Sequence, residues 1–128
     1  MTTILIADDE PHITALVRVT LEDDRVRIVE ASTGEEALDL LETVQPDVVL
    51  LDVNMPGIDG FEVCRRLRAD PRYAETKVVM LTAAAQAADR ARGRAVGADE
   101  YLTKPFSPIR LLSVVQALAP ELVAWLPR

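Results

Sequence analysis

The chain has 128 residues and is 49% hydrophobic, which gives one domain with room for one core and argues against disorder. A net charge of −7 disfavours nonspecific binding to nucleic acid, leaving only a local basic patch as a route to it. A single cysteine, Cys64, allows no internal disulfide, the start Met1-Thr2-Thr3 lacks the features of a signal peptide, and no apolar run approaches the ~20 residues that span a bilayer, so a cytoplasmic protein with no membrane contact is expected.

Ile4 to Ala7 is a short apolar run that reads as a buried strand ending in the acids Asp8-Asp9-Glu10. Pro11 suits the first turn of a helix, with acids ahead of it favoured by the helix dipole. Ile13, Leu16, Val17, Thr20 and Leu21 keep helical spacing until Asp23-Asp24 closes the helix. Val26 to Ala31 is a second strand. Ser32-Thr33 followed by Glu35-Glu36 is a capping box for a helix whose apolar face is Ala37, Leu40, Leu41 and Val44, stopped by Pro46.

Val48 to Leu51 is a strand buried on both faces, ending in Asp52 and then in Asn54-Met55-Pro56-Gly57, which turns the chain off the sheet. Phe61, Cys64 and Leu67 form the stripe of a third helix, ended by Asp70-Pro71. Lys77 to Leu81 is a fourth strand, ending at Thr82. Ala83 to Ala95 is helical by propensity but thinly hydrophobic, so it is expected to be the least firmly packed helix, with Gly97 as its C-terminal cap. Ala98 to Leu102 is a fifth strand, followed by Thr103-Lys104-Pro105-Phe106. Ser107 and Pro108 open a last helix with the stripe Leu111, Leu112, Val115 and Leu118. Five alternations of strand and helix with short connections predict an α/β fold: a five-stranded parallel sheet with helices on both faces. A domain over 1–119 is expected, with 120–128 as a tail or the start of a linker.

In such a sheet the carboxyl ends of the strands share one edge, where ligands bind. Those ends carry Asp8 and Asp9, Asp52, Thr82 and Lys104. Clustered carboxylates repel one another unless a cation sits among them, and all-oxygen ligands point to a hard ion, Mg²⁺ before Ca²⁺. A carboxylate beside Mg²⁺, a lysine and a hydroxyl is equipped to accept a phosphoryl group. Taken singly, each residue has a plainer explanation: a helix start for Asp8-Asp9, a turn for Asp52, a cap for Thr82, a solvated amine for Lys104. The functional case rests on their joint placement. Cys64 reads as core, His12 as a surface residue at a helix start, and Arg90, Arg92 and Arg94 as a solvated helix face. Gly57 and Gly60 do not form a phosphate-cradling loop of the Walker or dinucleotide type.

The motifs Ile4-Leu5-Ile6-Ala7-Asp8-Asp9-Glu10-Pro11, Leu51-Asp52-Val53-Asn54-Met55-Pro56-Gly57-Ile58-Asp59-Gly60, Leu81-Thr82-Ala83 and Lys104-Pro105-Phe106 together resemble the receiver domain of two-component response regulators, across about residues 1–119. The resemblance implies a three-layer, doubly wound (βα)5 fold of the flavodoxin-like type with strand order 2-1-3-4-5. It implies a signalling phosphoacceptor rather than an enzyme. Asp52 would accept the phosphoryl group of a sensor histidine kinase or phosphotransfer protein. Asp9, Asp52 and the backbone carbonyl of Asn54 would ligate Mg²⁺, with Asp8 acting mainly through water, and Thr82 and Lys104 would bind the phosphoryl oxygens. Lys104-Pro105 is expected to be cis. Tyr101 matches the family's switch aromatic, moving with Thr82 to change the surface made by the fourth helix, fifth strand and fifth helix for a downstream effector or a second copy. Direct nucleic-acid binding by this domain is not implied. Ala84, where many members carry a side chain that tunes loss of the phosphoryl group, leaves that lifetime to Asn54 and solvent access.

The main rival is a phosphohydrolase of the haloacid-dehalogenase type, since Asp52-Val53-Asn54 faintly echoes its Asp-x-Asp motif. Those enzymes need an acid/base aspartate where this chain has Asn54. A flavodoxin would need a hydroxyl-rich phosphate loop after the first strand, which is missing.

Overall fold

A computed structural model describes residues 1–83 and 87–120, the side chains of residues 87 and 88 excepted. Five strands and five α-helices alternate: β1 (Thr2–Ala7), α1 (Pro11–Leu21), β2 (Val26–Ala31), α2 (Gly34–Val44), β3 (Val48–Asp52), α3 (Gly60–Arg68), β4 (Lys77–Thr82), α4 (Ala87–Val96), β5 (Glu100–Thr103) and α5 (Pro108–Leu118), with a 3₁₀ turn, Pro71–Tyr73, between α3 and β4. All strands are parallel in the order β2-β1-β3-β4-β5. This is the expected flavodoxin-like arrangement, and every strand points its carboxyl end at the same edge.

Instead of the single core expected from the chain's length, the central sheet divides the apolar interior in two, one layer on each face. On one face Ile4, Ile6, Leu50, Val79, Leu81 and Leu102 pack against α1 and α5 through Ile13, Val17, Leu21, Leu111, Val114 and Val115. On the other, Leu5, Val49, Leu51, Val78, Met80 and Tyr101 pack against α2 and α3 through Ala37, Leu41, Phe61, Val63, Cys64 and Leu67. β3 is buried from Val48 to Asp52, as its unbroken apolar run requires of a central strand covered on both faces.

Local signals act where they were placed. Pro11 and Pro108 occupy the first turns of α1 and α5, and Ser107 Oγ accepts the Arg110 N–H at 3.1 Å. Thr33 caps α2 by accepting from Glu36 N at 3.1 Å, while Glu36 reaches back to Ser32 N at 2.6 Å. Gly97, at φ 97°, closes α4 in a Schellman turn, with Ala98 N bonded to Gly93 O at 2.9 Å and Gly97 N to Arg94 O at 3.1 Å.

Some boundaries differ. β5 begins at Glu100, not Ala98, because Gly97 and Ala98 are used in that turn. Strand pairing starts only when Asp99 N reaches Val78 O at 2.9 Å. β3 and β4 each run one residue further, through Asp52 and Thr82. α1 stops at Leu21, ahead of Asp23, whose carboxylate instead folds a tight turn by accepting from Arg25 N and Val26 N at 2.7 and 3.0 Å. From Asp89 to Val96 only Gly93 is buried, so α4 is indeed thinly packed. Ala83 precedes it in a bend, and the expected helical residues 84–86 lie outside the described residues, as do Ala84's site and the apolar tail after Pro120. No helix among the described residues is long and apolar enough to cross a membrane.

Candidate functional site

β1 and β3 are neighbours in the middle of the sheet, so Asp8 and Asp52 emerge side by side at its carboxyl edge. Both are buried. Local backbone fixes one oxygen of each: Asp8 Oδ1 accepts the Glu10 N–H at 2.9 Å, and Asp52 Oδ1 accepts the Asn54 N–H at 3.2 Å. Asp9, between Asp8 and Glu10, is exposed. Carboxylate oxygens of Asp8, Asp9, Glu10 and Asp52 lie within 4.8 Å of one another.

Lys104 enters this cluster from the end of β5. Its backbone N–H bonds Thr82 O at 2.7 Å, and the Lys104-Pro105 peptide is cis, as expected. The ammonium stands 2.7 Å from Asp8 Oδ2, 2.9 Å from Glu10 Oε1 and 3.4 Å from Asp52 Oδ2. Glu10 as a partner of Lys104 was not anticipated. In sequence it is only the third acid of a run, and the two residues are 94 positions apart. Thr82 is buried at the end of β4, one residue beyond the Asp52–Leu81 register pair. Side chains alternate along a strand, so Thr82 shares a face with Met80 and Tyr101, whereas Asp52 shares the opposite face with Leu50.

Electrostatics follow from burial. Desolvation, then the neighbouring charge of Asp8, push the Asp52 carboxyl up to about 6, against the Asn54 N–H and Lys104. Burial would lower the Lys104 ammonium, but contacts with Asp8 and Glu10 and the charge of Asp52 hold it above the ordinary lysine value. The Glu10 carboxyl is lowered by its hydrogen bond to Lys104. One ammonium thus faces three carboxylates and a fourth nearby. Asp8 Oδ2 is buried and meets Lys104 as an ion pair, without a well-directed hydrogen bond. Excess negative charge and a purely oxygen donor set fit a hard divalent cation such as Mg²⁺.

The loop from Asp52 to α3 is held tightly. Gly57 adopts φ 77° against the Glu35 carboxylate, which also accepts the Ile58 N–H at 3.3 Å. A Cβ on Gly60 would lie 2.2 Å from the Asp52 carbonyl oxygen, so α3 can start this close to the acid only with glycine there. Both glycines set the approach of the loop. Asn54 sits in this loop with its N–H on Asp52.

Tyr101 faces inward. It is buried under α4, its hydroxyl donates to the Asp89 carbonyl, and it lies in register with Met80. Cys64 is core as expected: burial raises its thiol to about 11, and Sγ lies 3.4 Å from Val96 O. His12 is exposed beside Glu10. The arginines of α4 are exposed, but two have partners: Arg92 lies 4.3 Å from the Phe61 ring centroid and 3.6 Å from Asp59, and Arg90 lies 5.9 Å from the Tyr101 ring.

Comparison with known proteins agrees with this geometry. The family model described as the response regulator receiver domain matches residues 4–116. The chain is 45% identical over 118 residues to the DNA-binding dual master transcriptional regulator RpaA of Synechocystis, covering 92% of this chain and 49% of that protein. It is 43% identical over 115 residues to the alkaline phosphatase synthesis transcriptional regulatory protein PhoP of Bacillus subtilis, covering 90% and 47%. It therefore spans about half the length of these curated relatives. Among solved structures, the chemotaxis protein CheY4 of Vibrio cholerae superposes with a TM-score of 0.86 at 36% identity, covering 92% of this chain and 98% of that one.

Proposed function

Because the chain belongs to the response regulator receiver domain family, we propose that it is a phosphoacceptor switch in which Asp52 takes a phosphoryl group from the phosphohistidine of a sensor histidine kinase or a phosphotransfer protein. The observation that carries this reading is the convergence of Asp8, Asp52 and Lys104 at one sheet edge, with the ammonium 3.4 Å from the acceptor carboxylate. An Asp52 oxygen attacks phosphorus, the P–N bond breaks and the imidazole leaves. Lys104 and the Thr82 hydroxyl bind the phosphoryl oxygens and stabilise the charge they gain. Asp8, Asp9, Asp52 and the Asn54 carbonyl would hold Mg²⁺, with Asp8 acting mainly through water. When bound, the ion supplies charge neutralisation at the phosphoryl oxygens.

The product is information rather than a released compound. Thr82 shares a sheet face with Tyr101, so a hydroxyl drawn toward the phosphoryl group vacates space on the side where Tyr101 packs. The changed α4-β5-α5 surface would be read by an effector domain, a partner protein or a second copy of the chain. That the relatives named above are transcriptional regulators of about twice this length supports an effector of that kind in a longer protein, with nucleic-acid contact made there rather than by this domain. A partnership with a histidine kinase is also what supports a cytoplasmic location.

Acetyl phosphate with Mg²⁺ is expected to label the chain once, at Asp52, with labelling abolished in Asp52→Asn. Sustained multiple turnover of small phosphate esters would overturn the switch in favour of an aspartyl-phosphate phosphohydrolase. Lys104→Ala is expected to accept the label but fail to change its partner surface; partner binding like that of the wild type would remove Lys104 from the switch.

A further inference from the structure

The inward position of Tyr101 is provided by α4. Its ring lies over the helix backbone at Gly93: a Cβ built there would stand 1.9 Å from Tyr101 Oη, 2.5 Å from Cζ and 2.8 Å from Cε2. No side-chain carbon approaches another group so closely, and the ring atoms it would meet belong to a stiff plane. The hydroxyl donates to the carbonyl of Asp89, one turn earlier on the same helix. Glycine in a helix interior is otherwise unfavourable, and α4, thinly packed from Asp89 to Val96, carries one at the single position in that stretch that is buried. Gly93 has no left-handed backbone angle to account for it, unlike Gly57 and Gly97. Its lack of a side chain is used by the tyrosine.

We propose that Gly93 is the positioning residue for the switch tyrosine: the notch it leaves in α4 is the seat that lets Tyr101 turn inward, so the position of α4 selects the orientation of the ring. Arg92, beside Gly93, stacks on Phe61 and reaches Asp59 at the start of α3, while Val96 at the end of α4 accepts from Cys64. The notch is therefore held at a defined place relative to α3, which begins against the Asp52 carbonyl. Seat and acceptor are joined through α3, independently of any contact between Tyr101 and Thr82. The inference rests on the receiver reading for its consequence but not for the seat itself.

The test uses Gly93→Ala in the full chain, with tyrosine labelled at Cζ and followed by NMR against pH. In the wild type both phenols are buried and titrate above the ordinary tyrosine range. In Gly93→Ala the Tyr101 phenol is expected to fall to the ordinary value of about 10, while Tyr73, bonded to Leu41 O at 2.8 Å, stays raised as the internal control. Labelling of Asp52 by acetyl phosphate is expected to remain one per chain, since Gly93 lies outside the acceptor site. A Tyr101 phenol that remains buried and raised in the variant overturns the proposal. Should the variant fold poorly, the comparison moves to Tyr101→Ala: there Gly93→Ala is expected to raise the melting temperature, through helix propensity, where in the wild-type background it lowers it. An equal lowering in both backgrounds would show that the glycine serves something other than the ring. Failure of Asp52 to label in the wild type would sink the receiver reading and leave the seat standing.

Discussion

As the proposed acceptor, Asp52 is held under two conflicting demands. Phosphoryl acceptance needs an ionised carboxylate, yet burial and Asp8 push its pKa from 3.8 up to about 6. A group whose folded pKa is raised contributes stability in full below its unfolded value, and this is lost as pH rises through the folded value. In metal-free protein, ionised Asp52 therefore weakens the fold progressively between about pH 4 and pH 6. At roughly 1.4 kcal/mol per unit the penalty at neutral pH is about 2–3 kcal/mol at most. Asp52→Asn is expected to melt higher than the wild type at pH 7 without Mg²⁺, with the difference shrinking toward pH 4. A difference independent of pH would show that Asp52 ionises without cost. If the proposed Mg²⁺ site is right, Mg²⁺ added at pH 7 narrows the gap from the wild-type side by binding the folded carboxylates. At this scale the sequence was informative about place: that Asp8, Asp9, Asp52, Thr82 and Lys104 share one edge follows from parallel topology. Glu10, Gly60 and Gly93 do not, because each owes its role to an approach between separate elements, and no periodicity records how closely two backbones pass.

Among the described residues, α4 buries little apolar surface, and polar ties hold its C-terminal end. Arg68 at the end of α3 donates from Nε to Gly97 O at 2.9 Å, from Nη1 to Tyr73 O at 3.0 Å and from Nη2 to Asp99 Oδ2 at 2.7 Å. Asp99 in turn accepts the Val78 N–H at 2.8 Å. One guanidinium thus joins α3, the 3₁₀ turn, the α4 cap and the start of β5, far from the acidic edge. Its fork matches several acceptors at once, which a lysine could not do. Arg68→Ala is expected to cost about 2–3 kcal/mol, as for removal of a part-buried charged hydrogen-bonding group, read as a lower denaturation midpoint. Asp52 labelling should be unchanged; a loss of less than about 0.5 kcal/mol, typical of an exposed pair, would reduce the cluster to surface charge. The same junction explains where element boundaries were misread. Ala98 looks like strand by composition, but the α4 cap uses its N–H, so β5 starts two residues later. The Pro71–Tyr73 turn was not foreseen because it is closed by the Asp70 carboxylate on Arg72 N and by burial of Tyr73, neither of which leaves a periodic trace.

For the molecule as a whole, the sheet is a partition. By strand alternation the Asp52 carboxylate is aligned with the α1/α5 core, while Thr82 is aligned with Tyr101 on the face under α2 and α3. In the proposed switch, a signal beginning at Asp52 has two ways across: around the edge through Lys104 and Thr82, or along the Asp52–Gly60 contact into α3 and from there to α4. On the proposed reading both converge on α4 and β5, at the other side of the sheet order from β2, and α2 meets the first stretch where Glu35 accepts the Ile58 N–H. Hydrogen exchange of the chain with and without acetyl phosphate and Mg²⁺ should therefore change in two stretches, the loop after Asp52 and the segment from Asp89 to Phe106, with exchange of β2 constant. In Asp52→Asn neither stretch should respond. Sizing the same samples tests the output side: if the altered α4-β5-α5 surface binds a second copy, the phosphorylated chain elutes larger and Tyr101→Ala does not. Protection rising uniformly over all five strands would instead mean that the phosphoryl group stabilises the whole fold without selecting a surface, and a switch confined to one face would be wrong.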